Sequence, residues 1–109
     1  SEIHFTPKEL IEMASAYHEQ KKYNQAMNML GQALRLSPKN VLLAINIVKI
    51  ASSICEIKAL NSNQKRTTHD AIELLSNTKL TEDDQESFAK YKKLIGNISE
   101  LDLVSTKLQ

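Results

Sequence analysis

Only four of the 109 residues are glycine or proline: Pro7, Gly31, Pro38 and Gly96. Strands must be joined by frequent turns, and turns draw heavily on those two residue types. So few of them leave an all-α fold as the expectation. The length admits one domain, 1–109, with a single modest core.

The helices are delimited by their end chemistry. Thr6 followed by Pro7 and by Glu9 three residues on is a capping box with proline at the first helical position. Leu10, Met13, Ala14 and Tyr17 then recur at helical spacing. The polar run Glu19-Gln20-Lys21-Lys22 predicts a tight turn. A second helix is expected from about Asn24 to Leu36, with Ala26, Leu30, Ala33 and Leu34 on one face. Ser37-Pro38 ends it, because a residue before proline is pushed out of the α region. Residues 40–60 predict a third, largely apolar helix, and 61–66 (NSNQKR) a loop. A fourth helix follows from about Thr67 to Ser76. Thr81 opens a fifth, with Glu82, Asp83, Asp84 and Glu86 near its start and Lys90, Lys92 and Lys93 near its end. That distribution complements the helix dipole and requires no ligand. Beyond it, either the helix continues through Gly96, or Ser99 caps a last short helix carrying Leu101, Val104 and Leu108. Five to six helices are expected in all.

The formal net charge is +1, with 14 basic and 13 acidic residues. Such a balance lacks the basic excess of a nucleic-acid-binding face, so no nucleic-acid partner is expected. Residues 41–60 are long enough to cross a bilayer, but Asn46, Lys49, Glu56 and Lys58 interrupt them. A helix covered by protein is the expectation, with no membrane partner. The single cysteine, Cys55, cannot pair within the chain and lies in the apolar run ICEI; a reducing cytoplasm fits. A chain that starts at Ser1 rather than Met is expected to be cut from a longer protein, or processed.

Two antiparallel helices joined by a short turn approach closely where alanine lies at the crossing, while larger side chains fill the flanks. Ala26 and Ala33 lie seven apart on the second helix, opposite Leu10 and Tyr17, also seven apart on the first. With the stop at Pro38, this makes a helix–turn–helix unit of about 34 residues, the kind that stacks into a solenoid.

These residues resemble the tetratricopeptide repeat (TPR) family. Leu10, Met13, Ala14 and Tyr17 fall on the family's first-helix positions, and Ala26, Leu30, Ala33 and Pro38 on those of the second helix and its end. Lys21 stands where the family often has glycine. Residues 7–40 form the well-matched repeat. Residues 41–80 form a degenerate one: Ala44, Ile47, Val48 and Ala51 continue the pattern, but Ala71 comes 45 residues after Ala26 rather than about 34. Residues 81–109 would cap the stack. The resemblance implies antiparallel pairs in a short right-handed superhelix. More narrowly, TPKELIEMASAY, and SPKN before an apolar helix, resemble the TPR-like C-terminal domain of bacterial two-component response regulators. That implies an output or adaptor role in a phosphorelay, without the receiver's phosphoacceptor aspartate.

Catalytic or metal chemistry is not expected. His4, His18 and His69 share no helical face, His69 and Asp70 are expected to point apart, and no glycine-rich phosphate loop is present. No cofactor, metal or enzymatic activity is therefore anticipated, and recognition of a protein remains. By the resemblance, the partner groove falls on Lys8, Ile11, Ser15, His18 and Glu19, and on Leu42, Ile45, Asn46, Lys49, Ser52 and Ser53. A groove of mixed polarity suits an amphipathic helix or an extended peptide. Some TPR proteins clamp a C-terminal carboxylate; Ile11 and Ser15 replace two of the clamp residues and Asn46 alone matches, so that mode is not expected. The alternative function is homodimerisation through Leu94, Leu101 and Leu108, spaced seven apart.

Overall fold

The computed structural model describes residues 4–96. Among them the chain is all-helical, with five helices: α1 (Pro7–Glu19), α2 (Tyr23–Leu36), α3 (Val41–Cys55), α4 (Ser62–Ser76) and α5 (Glu82–Ile95). The segment carrying Ser99, Leu101, Val104 and Leu108 lies outside the described residues.

The ends of α1 follow from local chemistry. The Thr6 hydroxyl accepts from the Glu9 backbone N–H at 3.1 Å, and the Glu9 carboxylate accepts from the Thr6 N–H at 3.0 Å. The capping bonds hold the Glu9 carboxyl below its ordinary range. At the other end the Lys21 N–H donates to the His18 carbonyl and the Lys22 N–H to the Tyr17 carbonyl, at 2.9 and 2.8 Å. Those two bonds define a Schellman closure, which requires a left-handed residue just past the helix. Lys21 occupies that place with φ 61°. It is the position at which the TPR pattern often has glycine.

α2 lays Ala26, Met27, Leu30, Gly31, Ala33 and Leu34 into the core. Ala26 is fully buried and Ala33 is 4% exposed, so the methyl-bearing crossing lies where the spacing predicts it. Gly31 lies against α4: a Cβ there would meet both Cγ2 and Oγ1 of Thr67 at 3.1 Å. α3 is the central element, with nine of its 15 residues buried, and it packs against α1, α2, α4 and α5. Burial around most of its circumference explains its largely apolar sequence, with Leu42 and Lys49 left exposed.

Two boundaries differ from expectation. α3 ends at Cys55 rather than near residue 60, because the Ile57 and Lys58 N–H groups both turn back onto the Ile54 carbonyl. The run 61–66, expected as a loop, is instead the first turn of α4. Asn61 and Gln64 form a reciprocal capping box there, with bonds of 2.8 and 2.9 Å. Gln64 is 3% exposed, and its amide also donates to the Asn24 side chain on α2. Polar residues thus start this helix and pin it to its neighbour. Gly96, with φ 73°, ends α5.

Candidate functional site

α1 and α3 meet over a short stretch. The residues expected to form a partner groove are divided between them, and the structure brings His18 together with Lys49 and Ser53. On α1, Lys8 and Glu19 are exposed, while Ile11, Ser15 and His18 are half-buried. On α3, Leu42 is 54% exposed, Lys49 is exposed, and Asn46 and Ser53 are half-buried. Ile45 and Ser52 differ: at 9% and 4% exposure they belong to the core and cannot meet a partner. The Ser52 hydroxyl donates to the Lys49 carbonyl at 2.6 Å, which accounts for its burial. The Asn46 amide likewise donates to the Leu42 carbonyl at 2.8 Å, turning along its own helix.

The two helices are tied at one end of the face. His18 Nε2 and Ser53 Oγ lie 2.8 Å apart, a hydrogen bond spanning 35 residues of sequence. The His18 ring also meets the Tyr23 ring, with centroids 5.5 Å apart and planes tilted by 53°. Partial burial lowers the His18 pKa, and the Lys49 charge lowers it further, against a smaller opposing pull from Glu19. Neutral imidazole is therefore favoured over imidazolium.

A serine beside a histidine is the first half of a nucleophilic dyad, and the sequence pairing missed it because the two stand on different helices. The other half is lacking among the described residues. His18 Nδ1 has no carboxylate to orient it, and Ser53 lies within α3, where backbone N–H groups are spent on the helix. The pair is a fastener between α1 and α3.

His69 and Asp70, expected on different faces, approach to 4.0 Å between Nδ1 and Oδ1. With Glu73 they bring one donor atom each within 4.8 Å of one another. Ligands around a zinc ion lie nearer to about 3.3 Å apart, given bonds of about 2.0–2.1 Å. These side chains also lack buried partners to orient them, and we read them as a solvated face. Partial burial pushes the Cys55 thiol pKa up, so the cysteine is poorly nucleophilic.

A separate concavity of about 560 Å³ opens on another face of the first hairpin, between α1 and α2. The sequence reading did not anticipate it. Leu94, from the proposed dimer seam, is 49% exposed on α5; Leu101 and Leu108 lie outside the described residues. No described helix is long and apolar enough to cross a membrane. Comparison with family models, with curated proteins and with solved structures returned no match.

Proposed function

We propose that this chain is a non-enzymatic TPR-like module that holds a protein partner against the α1/α3 face. The observation that supports the reading best is the makeup of that face. Exposed Leu42 and half-buried Ile11 offer apolar contact, Ser15 offers a hydroxyl, and Lys8, Glu19 and Lys49 frame them with charge. The His18–Ser53 bond fixes the spacing of the two helices. An amphipathic helix with an acidic flank toward Lys49 matches that chemistry. By the resemblance, the partner lies in a bacterial two-component pathway, with this domain as its cytoplasmic output part.

The experiment is selection of helical peptides from a displayed library against the folded chain, followed by mapping of the bound site by NMR. Shifts centred on Ile11, Ser15, Leu42 and Lys49, and tenfold or greater weakening by Leu42→Asp or Lys49→Glu, support the reading. Both substitutions are at exposed positions, so the fold survives them. Binders that map elsewhere, or bind the variants equally well, overturn it.

A further inference from the structure

We propose that residues 99–108, outside the described residues, lie back antiparallel along α5 as a short helix and cover the groove between α4 and α5. The occupant is tethered to the groove it covers, and the inference stands independently of the α1/α3 face.

The groove is a concavity of about 390 Å³ beside the α4–α5 connection. Leu75, Leu80, Phe88 and Ala89 line it with apolar surface, and Lys79 and Lys92 add charge. On α5 the lining residues Gln85, Phe88, Ala89 and Lys92 form a stripe along one side of the helix. α1 pairs with α2, and α3 with α4, whereas the main neighbour of α5 is α3. Among the described residues no later helix pairs with α5.

Spacing, register and charge together select residues 99–108. Leu101, Val104 and Leu108 fall within about 60° of one another on a helix. Ser99, with Asp102 three residues on, has the chemistry of a helix start. Gly96, with φ 73°, is where the chain can reverse. The first hairpin also reverses beside a residue of positive φ, Lys21. Folding back at Gly96 sets Leu101 opposite Lys92, Val104 opposite Ala89 and Leu108 opposite Gln85. Each of those three α5 residues lines the groove, and the branched Val104 meets the smallest of them.

Charge fixes the direction. α5 begins with Glu82, Asp83 and Asp84 and ends with Lys92 and Lys93. Residues 99–108 run the same way, with Glu100 and Asp102 early and Lys107 late. Antiparallel packing brings unlike ends together, and parallel packing would set like against like. A stretch of about ten residues is too short to hold a helix alone in water, so its order depends on the groove. The tether makes the contact intramolecular, at an effective concentration on the order of millimolar, so a small interface suffices.

NMR of the whole chain at about 50 and 500 μM, both below that effective concentration, tests the proposal. The expected result at both is nuclear Overhauser contact between the Val104 and Ala89 methyls and between Leu101 and Lys92. The amides of residues 104–108 should exchange at least tenfold more slowly than in an unstructured chain. Leu101→Asp combined with Val104→Asp should abolish the contacts and shift the amides of Leu80, Phe88 and Ala89. Unchanged α1 and α2 resonances verify that this variant is folded. Leu94→Asp, on the far side of α5 from the stripe, should leave the contacts in place. Absent contacts, unprotected amides, or contacts that appear only at the higher concentration overturn the proposal. So do contacts abolished by Leu94→Asp, which would instead support the leucine seam between two copies.

Discussion

Replacing Lys21 by glycine should stabilise the protein. Lys21 is the one described non-glycine residue with positive φ, 61°, imposed by the two hydrogen bonds that close α1. A side chain in that region costs roughly 1–2 kcal/mol, since Cβ crowds the following carbonyl. Glycine escapes that cost but gives up more freedom on folding, roughly 0.5–1 kcal/mol. The net gain should be about 0.5–1 kcal/mol, or a melting temperature higher by roughly 3–6 °C for a domain of this size. Calorimetry with three proteins decides the matter: wild type, Lys21→Gly and Lys21→Ala. Alanine removes the charge and keeps the Cβ, so it should show no comparable gain. If Lys21→Gly melts at or below the wild-type temperature, or alanine raises it equally, the strain argument fails.

Three further outcomes follow from buried polar groups. Thr68 is fully buried and its hydroxyl has no hydrogen-bond partner among the described residues, so Thr68→Val should raise the urea midpoint, by about 1–2 kcal/mol of stability. Gln64→Ala removes half of the α4 capping box and the tie to Asn24, and should cost about 2 kcal/mol in the same assay. His18 has a folded pKa below its ordinary 6.5, so the unfolded chain takes up the proton first as the solution is acidified. The wild type should therefore lose stability relative to His18→Asn as pH falls below about 6.5, with the difference levelling off below the folded pKa. Urea titrations at pH 7.5 and 5.5 measure that difference, and Lys49→Gln should reduce it.

Where the chain announces its own hydrogen bonds, the fold was legible. Thr6 and Glu9 placed the start of α1, Pro38 the end of α2, and the alanine spacing the α1–α2 crossing. The start of α4 carried the same kind of signal, Asn61 with Gln64 three residues on. The polarity of NSNQKR predicts a loop by composition, and the capping pair outweighs it. Gly31 could not have been read as a contact point, since its neighbour Thr67 is 36 residues away and only the packing of α2 on α4 pairs them. The candidate site was legible in part. The TPR resemblance put His18 and Lys49 toward one surface. It could not tell that Ser52 turns inward onto its own helix while the adjacent Ser53 reaches across to His18. One hundred degrees of helix rotation separates those two outcomes, and only the neighbouring helix decides between them.

α3 touches each of the other four helices. In longer arrays of helical pairs, a terminal pair can fray while the others stay folded, since each contacts only its neighbours. Here any helix that peels away uncovers part of one shared axle. Melting should therefore be a single event rather than a staircase, and shortening the chain by one hairpin should abolish the fold instead of leaving a smaller working piece.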